Sequence, residues 1–325
     1  VNKLTYITER NQAKMTMDSA AAKGVSLAIF CTGSFWNVEA ILRAADRYAR
    51  EYHIKNIPVV VAMTANYDYM KQTHRVTRSR DSKVGLVAAL EYCKLLCDGP
   101  YAPYPNVAVL PHLDHADPVA DRWEMTEAVK YLASVMFDAQ KYTYEENVRL
   151  TSEYVRQYGS RILIEGIVEG LSVSGEHEAR QNEDYIERAV DFVRRTGIDY
   201  LVADLGTEQQ SEGTQAKYLK DRAVRLTESL EKSMLVLHGT SSLKNSDING
   251  LNGDGVVRVN MWTRIVRESG QYAAKNLVER YEKICANDFE SCEARQYIDD
   301  NIDEAARIMY EVMGLLNYSA LSQAE

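Results

Sequence analysis

The chain has little basic charge to spare. Of its 325 residues 38 are Lys or Arg and 47 are Asp or Glu, a formal net charge of −9 at pH 7. Nucleic-acid binding draws its affinity from a basic footprint that displaces condensed counterions, so this balance argues against it. An anionic small molecule stays open, because a few Arg or a helix N-terminus outweigh the global charge locally. No apolar run nears the roughly 18 to 20 residues of a membrane-crossing helix, so no membrane partner is expected. The opening stretch Val1-Asn2-Lys3-Leu4-Thr5 is polar and reads as no secretory signal. Cysteine is sparse. The five are Cys31, Cys93, Cys97, Cys285 and Cys292, an odd number with no Cys-x-x-Cys pair, the usage expected of reduced thiols in a cytoplasm. Phe is scarce too, 5 against 21 Tyr, which suggests many half-buried rings with a polar tip.

What is present is the composition of a globular protein, 46% apolar and 26% charged. The length admits one large α/β barrel or two ordinary domains. Short apolar runs at 25–31, 58–63, 107–113, 133–137, 162–168, 200–203, 234–237 and 256–260 alternate with amphipathic stretches such as 38–52, 83–97 and 119–132. Thr143 followed three residues later by Glu146 has the spacing of a helix start. Eight β-rich runs, each followed by a helical stretch, is the count of a (β/α)8 TIM barrel. The runs are continuously apolar rather than alternating, as parallel strands covered on both faces require. An open doubly wound sheet is the alternative, but no Gly-x-Gly-x-x-Gly follows any run. We therefore expect one domain over 1–325. A helical segment over 1–22 precedes a barrel over about 23–286, and a C-terminal helical extension over about 287–325 covers the barrel or an interface.

In such a barrel the chemistry lies at the C-terminal ends of the strands. After the third run come His112, Asp114 and His115. Asp138 ends the fourth, and Glu165 and Glu169 lie in or after the fifth. The sixth ends in Asp204 and Gly206-Thr207-Glu208-Gln209. The seventh ends in His238 and Gly239-Thr240-Ser241-Ser242, and the eighth carries Asn260. Two His with several carboxylates and an amide on one rim is the composition of a metal site. Each has a plainer reading. His112, after Pro111, suits a structural role, and His115 or His238 alone would more often be structural than a ligand. Asp138 and Glu169 could cap helices or pair with Arg. His53 and His74 lie away from the rim.

The stretches His112-Leu113-Asp114-His115, Ala133 to Asp138 and Glu145-Glu146-Asn147 resemble class II, zinc-dependent ketose-bisphosphate aldolases. Thr196 to Leu201, Leu235 to Gly239 and Val257 to Asn260 continue the likeness in order, over about residues 25 to 280. Gly33-Ser34-Phe35-Trp36-Asn37 is similar to the family's Phe-Asn segment with one insertion.

The resemblance implies a TIM barrel holding zinc or another divalent cation, and it leaves room for a monovalent cation. The divalent ion would chelate a ketose and stabilise the enediolate formed as the C3–C4 bond breaks. By position His115 and His238 would be metal ligands, and Asp114 would take the C4 hydroxyl proton. The acid that protonates the enediolate would come from Glu176, His177 or Glu178. Asn260 would contact the ketose, with Asn37 near it. A homodimer or homotetramer acting in the cytoplasm on a small anionic sugar is implied.

Three departures matter. Where the family's remaining His ligand stands in a Gly-x-x-His-Gly turn, this chain has Gln209, so Glu208 would bind instead or Gln209 would leave a weaker site. The family's Gly-Gly-Ser-Gly phosphate loop is replaced by Gly239-Thr240-Ser241-Ser242, which loses the close backbone approach two glycines give. Asn-x-Asp-Thr-Asp has become Asn260-Met261-Trp262-Thr263-Arg264. Thr263 and Arg264 would still favour an anion, or Arg264 would make only a structural ion pair. The loop over 66–81, with His74, Arg75, Arg78 and Arg80, reads either as a solvated basic loop or as a lid on an anionic sugar. The expected function is a metal-dependent lyase cleaving a ketose or ketose phosphate other than fructose 1,6-bisphosphate. The alternatives are an epimerase or isomerase on the same scaffold and a non-catalytic sugar-binding paralogue.

Overall fold

Aliphatic and β-branched side chains in short uninterrupted runs favour strands buried on both faces, and these runs pair in sequence order. The strands are β1 (Leu27–Cys31), β2 (Ile57–Thr64), β3 (Val107–Ala116), β4 (Ser134–Phe137), β5 (Leu163–Ile167), β6 (Tyr200–Val202), β7 (Leu235–Leu237) and β8 (Val256–Met261). All are parallel, and β8 pairs with β1, with Asn260 opposite Ile29, to close the barrel. The computed structural model describes residues 5–170, 184–207, 217–293 and 295–322. Among the described residues no helix is long and apolar enough to cross a membrane.

The strand expectations hold, with β3 running three residues further than expected, through His115 to Ala116. Thr143 caps the helix Tyr144–Tyr158 by accepting from the Glu146 N–H. Three elements differ. The segment expected to be helical over 119–132 is divided into a helix at Arg122–Thr126 and a 3-10 turn at Ala128–Tyr131. Its start is delayed because the Asp117 carboxylate accepts from the N–H groups of Val119 and Ala120 at 2.8 and 2.9 Å, an Asx turn that competes with the helix. The N-terminal helix is confined to Arg10–Ala22. Before it the chain is extended, with Ile7 N–H bonded to Val109 O and Val109 N–H to Thr5 O. Arg10 then ties that helix to Asp199 at 2.6 Å. The loop after β2 contains a short helix, Thr73–Val76.

The C-terminal helix Arg295–Leu315 packs across the helices Phe35–Glu51 and Thr263–Glu279. Tyr318 beyond it is buried and its hydroxyl accepts from the Ala28 N–H at 2.9 Å, at the start of β1. The extension is thus part of the barrel's own covering.

Inside the barrel a polar layer lies beneath the mouth. Arg258 of β8 and Glu165 of β5 form an ion pair with both side chains fully buried. His112 of β3 bonds through Nδ1 to the Ser134 hydroxyl at 2.8 Å, with Nε2 3.7 Å from Glu165. Burial, then the field of Arg258, hold the His112 imidazole well below its usual value and therefore neutral. The bond to Ser134 suits a structural role for His112, while its Nε2 is buried without a hydrogen-bond partner.

Candidate active site

Alternation along a strand sends neighbouring side chains to opposite faces, so Asp114 and His115 should not meet. They do because β3 is irregular. Its register against β4 breaks between Leu113 and Ala116, and His115 takes φ +47°. An extra residue at a strand end re-aims a side chain in this way, and such positions cluster at functional sites.

His115 is fixed from three sides. Nδ1 lies 2.7 Å from Asp138 Oδ2 at the end of β4. Tyr67 stacks on the ring at 4.2 Å and 8°, and His238 from β7 meets it edge-on at 5.1 Å. Asp138 is itself held by the Gln140 side chain at 2.7 Å. One ligand atom from each of Asp114, His115 and His238 falls within 4.8 Å of the others. Asp114 Oδ1 and His238 Nε2 are buried without a hydrogen-bond partner. Buried polar atoms are seldom left so, and two aimed at the same space as an imidazole suit a divalent cation.

The charges agree with that use. Burial would raise the Asp114 carboxyl, but the fields of His115, His238 and His112, with the bond from Asn260, bring it down to about 2. Burial lowers His238 to about 4 against the pull of Asp114, leaving a neutral ring with a lone pair to offer. His115 is raised, because Asp114 and the bond to Asp138 outweigh its burial.

Asn260, at the end of β8, donates from Nδ2 to Asp114 Oδ2 at 3.0 Å. The Cys31 thiol donates to Asn260 Oδ1 at 3.2 Å, which sets the amide so that its NH2 faces the carboxylate. Gly239, at φ +68°, turns the chain out of β7 into the 3-10 turn Thr240–Ser242. There Thr240 Oγ1 bonds Asn260 O at 2.8 Å, and Ser241 Oγ is buried without a partner. Thr263 opens the helix Thr263–Glu279 at the rim.

These groups line a cleft of about 510 Å³ together with Cys31, Thr64, Tyr67, Met70, Gln72 and Trp262. Sequence reasoning missed those six. A polar loop after β2 was visible, but its aromatic and thioether residues carried no motif, and Trp262 read only as a substitution.

Other candidates fall elsewhere. Arg264 bonds Glu268 at 3.2 Å and Asn245 at 2.9 Å and is not part of the cleft lining. Asn37 is buried behind its helix start, its Oδ1 accepting from the Ser34 hydroxyl at 2.9 Å. Arg75, Arg78 and Arg80 are exposed, and His74 holds the loop together through Arg80 O and Asn66 Oδ1. Glu169 pairs with Arg188. Glu176, His177, Glu178, Glu208 and Gln209 lie outside the described residues.

The sequence matches the family model of the class-II fructose-bisphosphate aldolases over residues 11–320. The chain belongs to that family. Relatives of this class-II chain include a fructose-bisphosphate aldolase of Giardia intestinalis, 30% identical over 47% of this chain and 48% of its own length. The D-tagatose-1,6-bisphosphate aldolase subunit GatY of Klebsiella oxytoca is 32% identical over 47% of this chain and 55% of its own. This chain thus spans about half the length of those two curated relatives. A sulfofructosephosphate aldolase of Alkalicoccus urumqiensis is 25% identical over 78% of this chain and 80% of its own. Among solved structures, the YdjI aldolase of Escherichia coli K12 superposes with a TM-score of 0.66 at 19% identity, covering 95% of this chain and 98% of that one. The fructose-bisphosphate aldolase of Campylobacter jejuni gives 0.72 at 15%, covering 95% of each. These likenesses bear on the fold, and both are with aldolases of the same barrel.

Proposed function

We propose that this class-II family member is a divalent-metal-dependent aldolase that reversibly cleaves a ketose phosphate. The observation that carries the reading is the meeting of Asp114, His115 and His238 at the barrel mouth, with Asn260 bonded to Asp114. His115 and His238 would hold zinc or another divalent cation, with Glu208 or Gln209 completing the set. When bound, that cation supplies Lewis-acid stabilisation of the negative charge that develops as the carbon–carbon bond breaks.

The chain's own groups do the rest. Asp114, ionised at neutral pH, accepts the proton of the C4 hydroxyl. The electron pair of that O–H bond becomes the aldehyde π bond, and the C3–C4 pair stays with C3. Glu176, His177 or Glu178 then delivers a proton to C3. Asn260 orients Asp114 and contacts the ketose, and Ser241 with the main chain around Gly239 receives the phosphate. Substitution of the family's glycine-rich loop by Thr240 and Ser241 favours a substrate other than fructose 1,6-bisphosphate. Metal analysis of the purified chain, followed by an assay of triose-phosphate release across ketose phosphates, tests the reading. Stoichiometric metal with release supports it. No metal and no release overturns it.

A further inference from the structure

The cleft has two unlike ends. On the side of β7 and β8 it is lined by Gly239, Thr240, Ser241 and Thr263, small residues offering hydroxyls, main chain and the start of a helix. On the side of β2 it is lined by Tyr67 and Met70 and by Thr64 and Gln72, whose polar groups are bonded to each other, and Trp262 adds an indole to the lining. A side-chain carbon placed at Gly33 would stand 3.6 Å from the Trp262 ring edge and 3.6 Å from Gln72 Cβ, so the indole and the β2 loop both come close to the chain just after β1.

The cations near the cleft, Lys71 between Met70 and Gln72 among them, are not part of its lining. Arg264 is held by Glu268 and Asn245, and Arg75, Arg78 and Arg80 project into solvent. Among the described residues lining the cleft none is Lys or Arg. In sequence, the segments 171–183 and 208–216 contain Arg180 as their one Lys or Arg, against Glu176, Glu178, Glu183, Glu208 and Glu212. A phosphate dianion is held by guanidinium, ammonium or converging N–H donors. Set against an indole and a thioether it would lose its water without replacement. The same surface suits the C–H faces of an uncharged sugar chain.

We infer that the cleft takes a ketose carrying a single phosphate, seated at the Gly239–Ser241 end, with an uncharged far end packed against Trp262, Tyr67 and Met70. Tyr67 and Trp262 then determine specificity as well as shape, since Tyr67 also stacks on His115. This rests on the aldolase reading for the identity of the sugar, while the selectivity is read from binding as well as from turnover.

The test compares fructose 1-phosphate with fructose 1,6-bisphosphate on the zinc-loaded full chain, by calorimetric titration and by cleavage rate. The monophosphate is expected to be favoured by roughly tenfold or more in both Kd and kcat/KM. Met70→Arg, which brings a cation to the far end, is expected to cut that ratio by roughly tenfold. A wild-type preference for the bisphosphate, or a ratio unmoved in Met70→Arg, overturns the inference. Monophosphate-selective binding without cleavage sustains it and overturns the aldolase reading. Binding of neither sugar overturns both.

Discussion

His115 Nδ1 stands 2.7 Å from Asp138 Oδ2, and this contact decides which nitrogen of the ring serves the cleft. With Nδ1–H donating to the carboxylate, the Nε2 lone pair is the one left for a metal. Carboxylate partners of this kind fix the tautomer and raise the basicity of the imidazole. Asp138→Ala should therefore weaken zinc binding by about 10- to 100-fold, measured by competition with a chelator. Unchanged affinity would show that His115 is not a ligand.

On the proposed mechanism Asp114 plays a different part from the two imidazoles. Asp114→Ala is expected to lower turnover by about 100-fold or more while zinc stays bound, as loss of a general base would. Loss of metal together with activity would make Asp114 a ligand instead.

Gln209→His restores an imidazole to the turn after β6. If that turn faces the ion, zinc affinity should rise by roughly tenfold or more, because imidazole is the better zinc donor. Equal affinities in the two proteins would place the turn elsewhere.

The ion pair beneath the site has a pH signature. Burial pushes the Glu165 carboxyl up to about 7, against the lowering field of Arg258. An unfolded Glu titrates near 4.3. Since the folded value is the higher one, its stabilising contribution is full below the unfolded value and is lost as pH rises towards 7. Removing the guanidinium enlarges that loss. Arg258→Met should destabilise the fold by about 3–5 kcal/mol at pH 8, where the folded chain must either bury an unpaired carboxylate or take up a proton on Glu165, and by distinctly less at pH 5. Urea unfolding at both pH values checks this, and equal losses would contradict it.

Gly85 links packing to the cleft. A Cβ there would lie 1.9 Å from the Thr73 carbonyl oxygen, where the helix Ser82–Cys97 meets the short helix that follows Gln72. Gly85→Ala should cost about 1–3 kcal/mol by overpacking and displace the loop carrying Met70 and Gln72. Raised KM with a lowered Tm is expected, and an unchanged KM would separate the loop from substrate binding.

The barrel was legible because parallel strands buried on both faces write themselves as apolar runs, and because polar residues right after those runs mark the rim. That rule put His115 and His238 at the rim, and both line the cleft. Their meeting with Asp114 was not readable as geometry, since simple alternation places Asp114 and His115 on opposite faces and only the irregularity in β3 unites them. Residue spacing likewise gives no hint that Trp262 comes close to Gly33 or that Cys31 orients Asn260. The structural alternative for Arg264 describes its contacts, because Glu268 four residues along the same helix captures it.

The measurement that tests the central claim most directly needs no knowledge of the aldehyde half of the substrate. Zinc-loaded protein incubated with dihydroxyacetone phosphate in D2O should place one deuterium on the hydroxymethyl carbon, seen by proton NMR, and a chelator should stop the exchange. Absence of exchange with metal bound, or exchange that survives complete metal removal, would contradict the account.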